Sequence, residues 1–137
     1  MRAARVLRAL WEDADENRDD EPWCHTRLLE LIVRDEYTVV GQSLAAAEAP
    51  RRRREHVVPL RYLADLVFNA FKNGHSLSDV ASLLDRLLKI VRVTYDEARL
   101  IDAMHGKASM PDGWLVESGD PFVRLSGAGI QFRKTPG

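Results

Sequence analysis

The chain has 137 residues, of which 45% are hydrophobic and 30% charged, with a formal net charge of −1. That length suits one domain with a real core and excludes two independent ones joined by a linker, while the composition excludes an intrinsically disordered chain. Residues 1–48 hold 6 basic and 11 acidic side chains, residues 49–108 hold 11 and 7, and residues 109–137 hold 3 of each, so an acidic front precedes a mildly basic middle that permits nucleic-acid binding without demanding it.

Apolar runs such as Val57–Leu60 fall far short of the ~18 residues of a membrane span. The first residues thread Arg2, Arg5 and Arg8 through their apolar positions and so lack the unbroken apolar core of a secretion signal. The single cysteine, Cys24, permits no internal disulfide, and a cytoplasmic location without membrane contact is expected.

Arg2 to Trp11 has helical spacing, with Val6, Leu7, Leu10 and Trp11 near one face. In residues 12–21 seven of ten side chains are acidic, which predicts a solvated loop; they lack the glycine-punctuated spacing of a calcium loop. Pro22 can open a second helix, with Leu28, Leu29, Ile32 and Val33 repeating at helical spacing to about Val40, although Tyr37–Val40 suits a strand equally well. Gly41 would bend or end that helix, and Gln42–Ala49 returns to helix-favouring alanines. Pro50 and the run Arg51, Arg52, Arg53 and Arg54 mark the main internal boundary, dividing an N-terminal helical arm (1–49) from a following module (50–137).

From Pro59, a stripe of Leu60, Leu63, Ala64, Val67, Phe68 and Phe71 predicts a buried helix ending near Lys72, with Gly74 beyond it. Ser76 followed by Asp79 is a capping box, and Leu77, Val80, Ala81, Leu84, Leu87, Leu88 and Val91 carry a second helix to about Arg92. Thr94 and Glu97 repeat the box before a third helix that turns Ala98, Ile101 and Met104 inward. Beyond Gly113 the period becomes extended: Trp114–Glu117 and Phe122–Leu125 read as strands and Ser118-Gly119-Asp120-Pro121 as the turn of a hairpin. The fold class is therefore mainly α (α+β), a helical bundle with a C-terminal β-hairpin.

Three helices and a hairpin, with Ser76-x-x-Asp79-Val80-Ala81, Gly113-Trp114-Leu115-Val116 and Leu125-Ser126-x-x-Gly129-x-x-Phe132, resemble the winged helix-turn-helix family over residues 57–134. The resemblance implies a recognition helix at Thr94–Lys107 and a wing tip at Ser118–Pro121. It implies a DNA-binding, non-enzymatic regulator in which Arg99 reads a base edge and His105 and Lys107 hold phosphates. Arg51, Arg52, Arg53, Arg54 and Arg124 would add backbone contacts, with Arg133 and Lys134 supplying further charge. The acids Asp96 and Glu97 at the start of that helix equally suit the alternative, a protein-protein interaction module on the same fold that binds no nucleic acid.

Other readings carry less chemistry. The arginine run also reads as a solvated linker or a contact for an acidic partner. Cys24 and His25 are neighbours about 100° apart on a helix and so form no nucleophile–base pair. His25, His56, His75 and His105 are scattered without metal-ligand spacing, and Gly127-Ala128-Gly129 lacks the context of a dinucleotide loop, so neither metal nor cofactor is expected. Trp11, Trp23 and Trp114 read as core or subunit plugs, and the apolar face of the N-terminal arm predicts a homodimer.

Overall fold

The computed structural model describes residues 1–17, 30 and 34–135. The expected helix opening at Pro22, with Trp23, Cys24 and His25, lies outside these residues up to Val33, apart from Glu30. Among the described residues the elements run α1 (Arg2–Asn17), α2 (Asp35–Thr38), β1 (Val39–Ser43), α3 (Leu44–Glu48), β2 (Arg53–His56), α4 (Leu60–Lys72), α5 (Leu77–Leu87), β3 (Ile90–Val93), α6 (Tyr95–His105), α7 (Val123–Gly127) and β4 (Phe132–Lys134). The protein is thus an α+β fold whose last described element is a strand.

The three helices of the middle region form where their apolar spacing places them. All six stripe residues of α4 are buried, as are Val80, Leu84 and Leu87 of α5 and Ala98 and Ile101 of α6. Both capping boxes close: Ser76 and Asp79 bond reciprocally at the start of α5, and Thr94 and Glu97 at the start of α6. Met104 differs from expectation, since it is exposed.

Helix α1 runs beyond Trp11. The first part of the acidic stretch, Glu12 to Asn17, continues the helix instead of looping, supported by an Arg8–Glu12 pair at 2.8 Å and by the burial of Ala14. Ala3, Ala4 and Leu7 join the same core cluster as α4 and α5, and Trp11 lies 5.9 Å from the Phe71 ring. The α1 part of the apolar face that suggested a dimer is therefore covered within the chain, and its second part lies outside the described residues.

The sheet is what helical periodicity could not show. Its strand order is β2-β3-β1-β4, with β3 antiparallel to β2 and parallel to β1, and β4 antiparallel to β1. Strand β3 occupies the stretch expected to finish the second helix, because Leu88 leaves helical geometry and Ile90-Val91-Arg92-Val93 is rich in β-branched residues. Strand β1 takes over Val39–Ser43, including Gly41, and β2 takes over half of the arginine run. Residues on both sides of position 50 thus share one sheet. Val91 and Val93 face the main core with the helices, so Arg92 between them faces the other way.

The expected hairpin at Trp114–Leu125 does not form. Trp114 to Gly119 makes turns, and Val123–Gly127 is the short helix α7. Asp120 explains the change: its carboxylate accepts from the Phe122 N–H at 3.0 Å, its carbonyl accepts from Trp114 Nε1 at 2.9 Å, and Gly119 N–H bonds the Leu115 carbonyl at 2.7 Å. Local side-chain bonding of this kind nucleates a turn in place of a strand. No helix among the described residues is long and apolar enough to cross a membrane.

Candidate functional site

Cross-strand register builds a basic row. Arg54 of β2 pairs with Arg92 of β3, Arg92 with Gln42 of β1, and Gln42 with Arg133 of β4. Residues directly opposite in a sheet share a face, and strands lie about 4.8 Å apart, so the row spans roughly 14 Å across the face opposite the main core. Asp35 sits against it, 2.7 Å from Arg54 and 3.6 Å from Arg92. Arg133 is exposed, and Arg54 and Arg92 are partly so. At the β1–β4 side a cleft of about 840 Å³ is bordered by Arg92, Lys89, Lys134 and Tyr37, whose ring is exposed.

A second cleft, of about 450 Å³, opens beside β2. It gathers four of the residues expected from the sequence to carry function, Arg53, Arg54, Lys107 and Arg124, together with Glu30, Glu55, His56, Arg61 and Asp102. Arg53 and Arg54 point to opposite faces of the sheet, and both reach this cleft because β2 is an edge strand.

Arg124 is not a backbone contact for DNA. It is 1% exposed, held 3.4 Å from Glu55 and 3.9 Å from Asp102, and it donates to the carbonyl of Gly106 at the end of α6. Helix α7 puts it there, which a wing strand would not. Burial pushes the Glu55 carboxyl up to about 7, with Arg124 opposing the rise and Asp102 adding to it. Burial likewise holds His56 below the ordinary histidine value, against the pull of Glu30, 3.3 Å from its Nε2.

The remaining expected residues divide. His105 is half-buried: its Nε2 is shielded and its ring packs against Gly127, so that nitrogen does not face solvent. Arg99 is exposed and paired with Asp96 at 3.1 Å. Arg51 and Arg52 are exposed just before β2, Arg52 at 3.5 Å from the Ala47 carbonyl. Sequence reasoning missed Glu55, His56, Arg92 and Gln42 as site residues. The signal for Arg92 lay in the β-branched alternation around it, whereas Gln42 needed the sheet register.

No cluster of His, Cys, Asp and Glu among the described residues could hold a metal ion. The fold and site define an α+β protein with a four-stranded mixed sheet that carries arginines on one face. No family model, curated protein or solved structure matches the chain.

Proposed function

We propose that the protein is a non-enzymatic DNA-binding regulator that holds the phosphate backbone on its sheet. The single observation behind this reading is the register that aligns Arg54, Arg92, Gln42 and Arg133 in one row. Arginine donors suit phosphate oxygens bidentately, and Gln42 adds a neutral donor in the same line. Tyr37, exposed beside Lys89, Arg92 and Lys134, offers a ring for stacking next to this charge. The contacts differ from those the winged helix-turn-helix resemblance implies: the sheet supplies the cations in place of a wing and of α6, whose Arg99 is paired with Asp96.

A salt titration of binding to random duplex DNA tests it. Affinity should fall as salt rises, because phosphate contacts release counterions. Undetectable binding at low salt, or binding indifferent to salt, would remove the reading.

A second reading is a protein-interaction module without nucleic-acid binding. It is favoured by α6, where Leu100 and Met104 are exposed one helical turn apart on the element expected to enter a groove. DNA binding that is absent at low salt supports this second reading.

A further inference from the structure

Tyr37 stands 78% exposed on a turn anchored at both ends. On one side of it Asp35 pairs with Arg54 at 2.7 Å and Arg92 at 3.6 Å. On the other, Thr38 is buried and its hydroxyl donates to the Arg34 carbonyl at 3.0 Å. A ring left in water adds almost no burial to the fold, so the fold has no need of an aromatic at this position. The ring borders the cleft of about 840 Å³, a volume suited to a small ligand, beside the partly exposed Val39, Val40 and Phe122.

The cations of the cleft are Lys89, Arg92 and Lys134, and Arg92 belongs to the sheet row as well. Asp35 already answers Arg92, whereas Lys89 and Lys134 form no ion pair among the described residues. A ligand that suits these groups joins an anion to a flat ring with an apolar face. A nucleotide has both. In a duplex each base hides its faces against its neighbours and shows only an edge in a groove, so a duplex held by phosphate on the row leaves Tyr37 nothing to stack on. An unpaired base has a free face. Glu36, exposed at the border and 3.4 Å from Arg34, suits the base and not the phosphate, since a carboxylate accepts from the amino group of a base.

We infer that the cleft beside α2 takes an unpaired nucleotide, with its base stacked on Tyr37 and its phosphate facing Arg92, Lys89 and Lys134, so that the protein prefers single strands to duplex. This assignment rests on the sheet row as a phosphate-binding surface and adds the form of nucleic acid that the surface serves. Charge alone predicts the opposite preference, because a single strand releases fewer counterions per phosphate contact than a duplex does. A single strand that binds more tightly is therefore held by its bases.

The test is fluorescence anisotropy of a labelled mixed-sequence oligonucleotide of about 12 nucleotides, single-stranded or annealed to its complement, titrated with the full chain at several salt concentrations. The single strand should bind about fivefold or more tightly than the duplex, the worth of one stacked base. Tyr37→Ala, at an exposed position, should remove that margin while leaving duplex affinity and its salt slope unchanged, and Tyr37→Phe should keep it. An abasic deoxyribose-phosphate oligomer offers the same backbone without bases and should bind Tyr37→Ala and the unaltered chain equally. Duplex bound as tightly as the single strand, or Tyr37→Ala equal to the unaltered chain on the intact strand, would overturn the inference and leave the DNA reading standing. Should Tyr37→Ala fail to fold, the unaltered chain decides: an intact strand bound no more tightly than the abasic one also overturns it. No binding of either form at low salt would remove the DNA reading and this cleft assignment together. A ribose copy of the strand identifies the source. Equal affinity assigns the cleft to unpaired strands in general, and tighter binding through the 2′-hydroxyl assigns it to RNA.

Discussion

Glu55 Oε1 lies 3.4 Å from Nη1 of Arg124, a contact between residues 69 positions apart that ties β2 to α7. The same guanidinium donates to the Gly106 carbonyl, so α6 joins the cluster at its C-terminal end. Arg124→Met should be strongly destabilising. It strands a buried carboxyl and a buried carbonyl together, and losing one partner of a buried pair costs about 3–5 kcal/mol. Glu55→Gln keeps a hydrogen-bonding group of the same shape and should cost less. Urea unfolding measures both, and an Arg124→Met loss below about 1 kcal/mol would show that the cluster contributes little.

Glu55 and His56 should pull stability in opposite directions with pH. Glu55 titrates higher folded than unfolded, from 4.5 to about 7, so the folded state binds the extra proton in that window and stability declines as pH rises through it. His56 titrates below its unfolded value of 6.5, so the unfolded state binds the extra proton and stability is lost as pH falls below that point. The unaltered chain should show a shallow profile in which the two partly cancel. In Glu55→Gln only the histidine effect survives, and thermal midpoints should drop more steeply on acidification. In His56→Phe the sign reverses, and midpoints should rise as pH is lowered from about 7. Two variants with the same pH slope as the unaltered chain would show that neither group is linked to folding.

The sheet row and the helix expected to read DNA make different predictions for one experiment. If Arg92 and Arg133 each neutralise a phosphate, Arg92→Gln and Arg133→Gln should each reduce the salt slope of duplex binding by about 0.9. Arg99→Gln should leave that slope unchanged, because Arg99 lies on α6 and not in the sheet row, on a helix that opens with Asp96 and Glu97. The reverse pattern would return the contact to α6.

The helices were legible and the sheet was not, for reasons visible in single residues. A stripe such as Leu60, Leu63, Ala64 and Val67 repeats within one element, so its meaning is local, and the two capping boxes name their own helix starts. Strands β1, β2, β3 and β4 are three to five residues long, and each reveals its face only through partners distant in sequence. Gln42 carries no signal until Arg92 and Arg133 stand on either side of it. Phe122-Val123-Arg124-Leu125 has strand-forming composition, but the Asp120 turn and the demand of Glu55 for a cation make it helical. The arginine run was legible as basic. Its division between an exposed Arg51 and Arg52, a cleft-facing Arg53 and a row-forming Arg54 followed only from β2.

Gly41 connects the fold to the proposed DNA surface, and Gly41→Ala should separate them. The glycine sits in β1 opposite Lys134, and an added methyl would collide with the Arg133 carbonyl oxygen while coming within 3.0 Å of the Phe132 ring. A backbone atom cannot step aside as a flexible side chain can, so β4 must move away from β1. The Thr135 N–H, bonded to the Val40 carbonyl at 2.9 Å, should then exchange with solvent much faster, and the Phe122–Phe132 stack at 5.0 Å should open. Overpacking of this kind costs about 1–3 kcal/mol, which leaves α4, α5 and the rest of the core folded. With Arg133 carried off the row, duplex DNA should bind with the reduced salt slope of Arg133→Gln. An alanine variant with unchanged Thr135 exchange would show that β4 tolerates the methyl. One with fast exchange but an unchanged salt slope would show that Arg133 contributes nothing to the DNA contact, because the strand that places it would already have left.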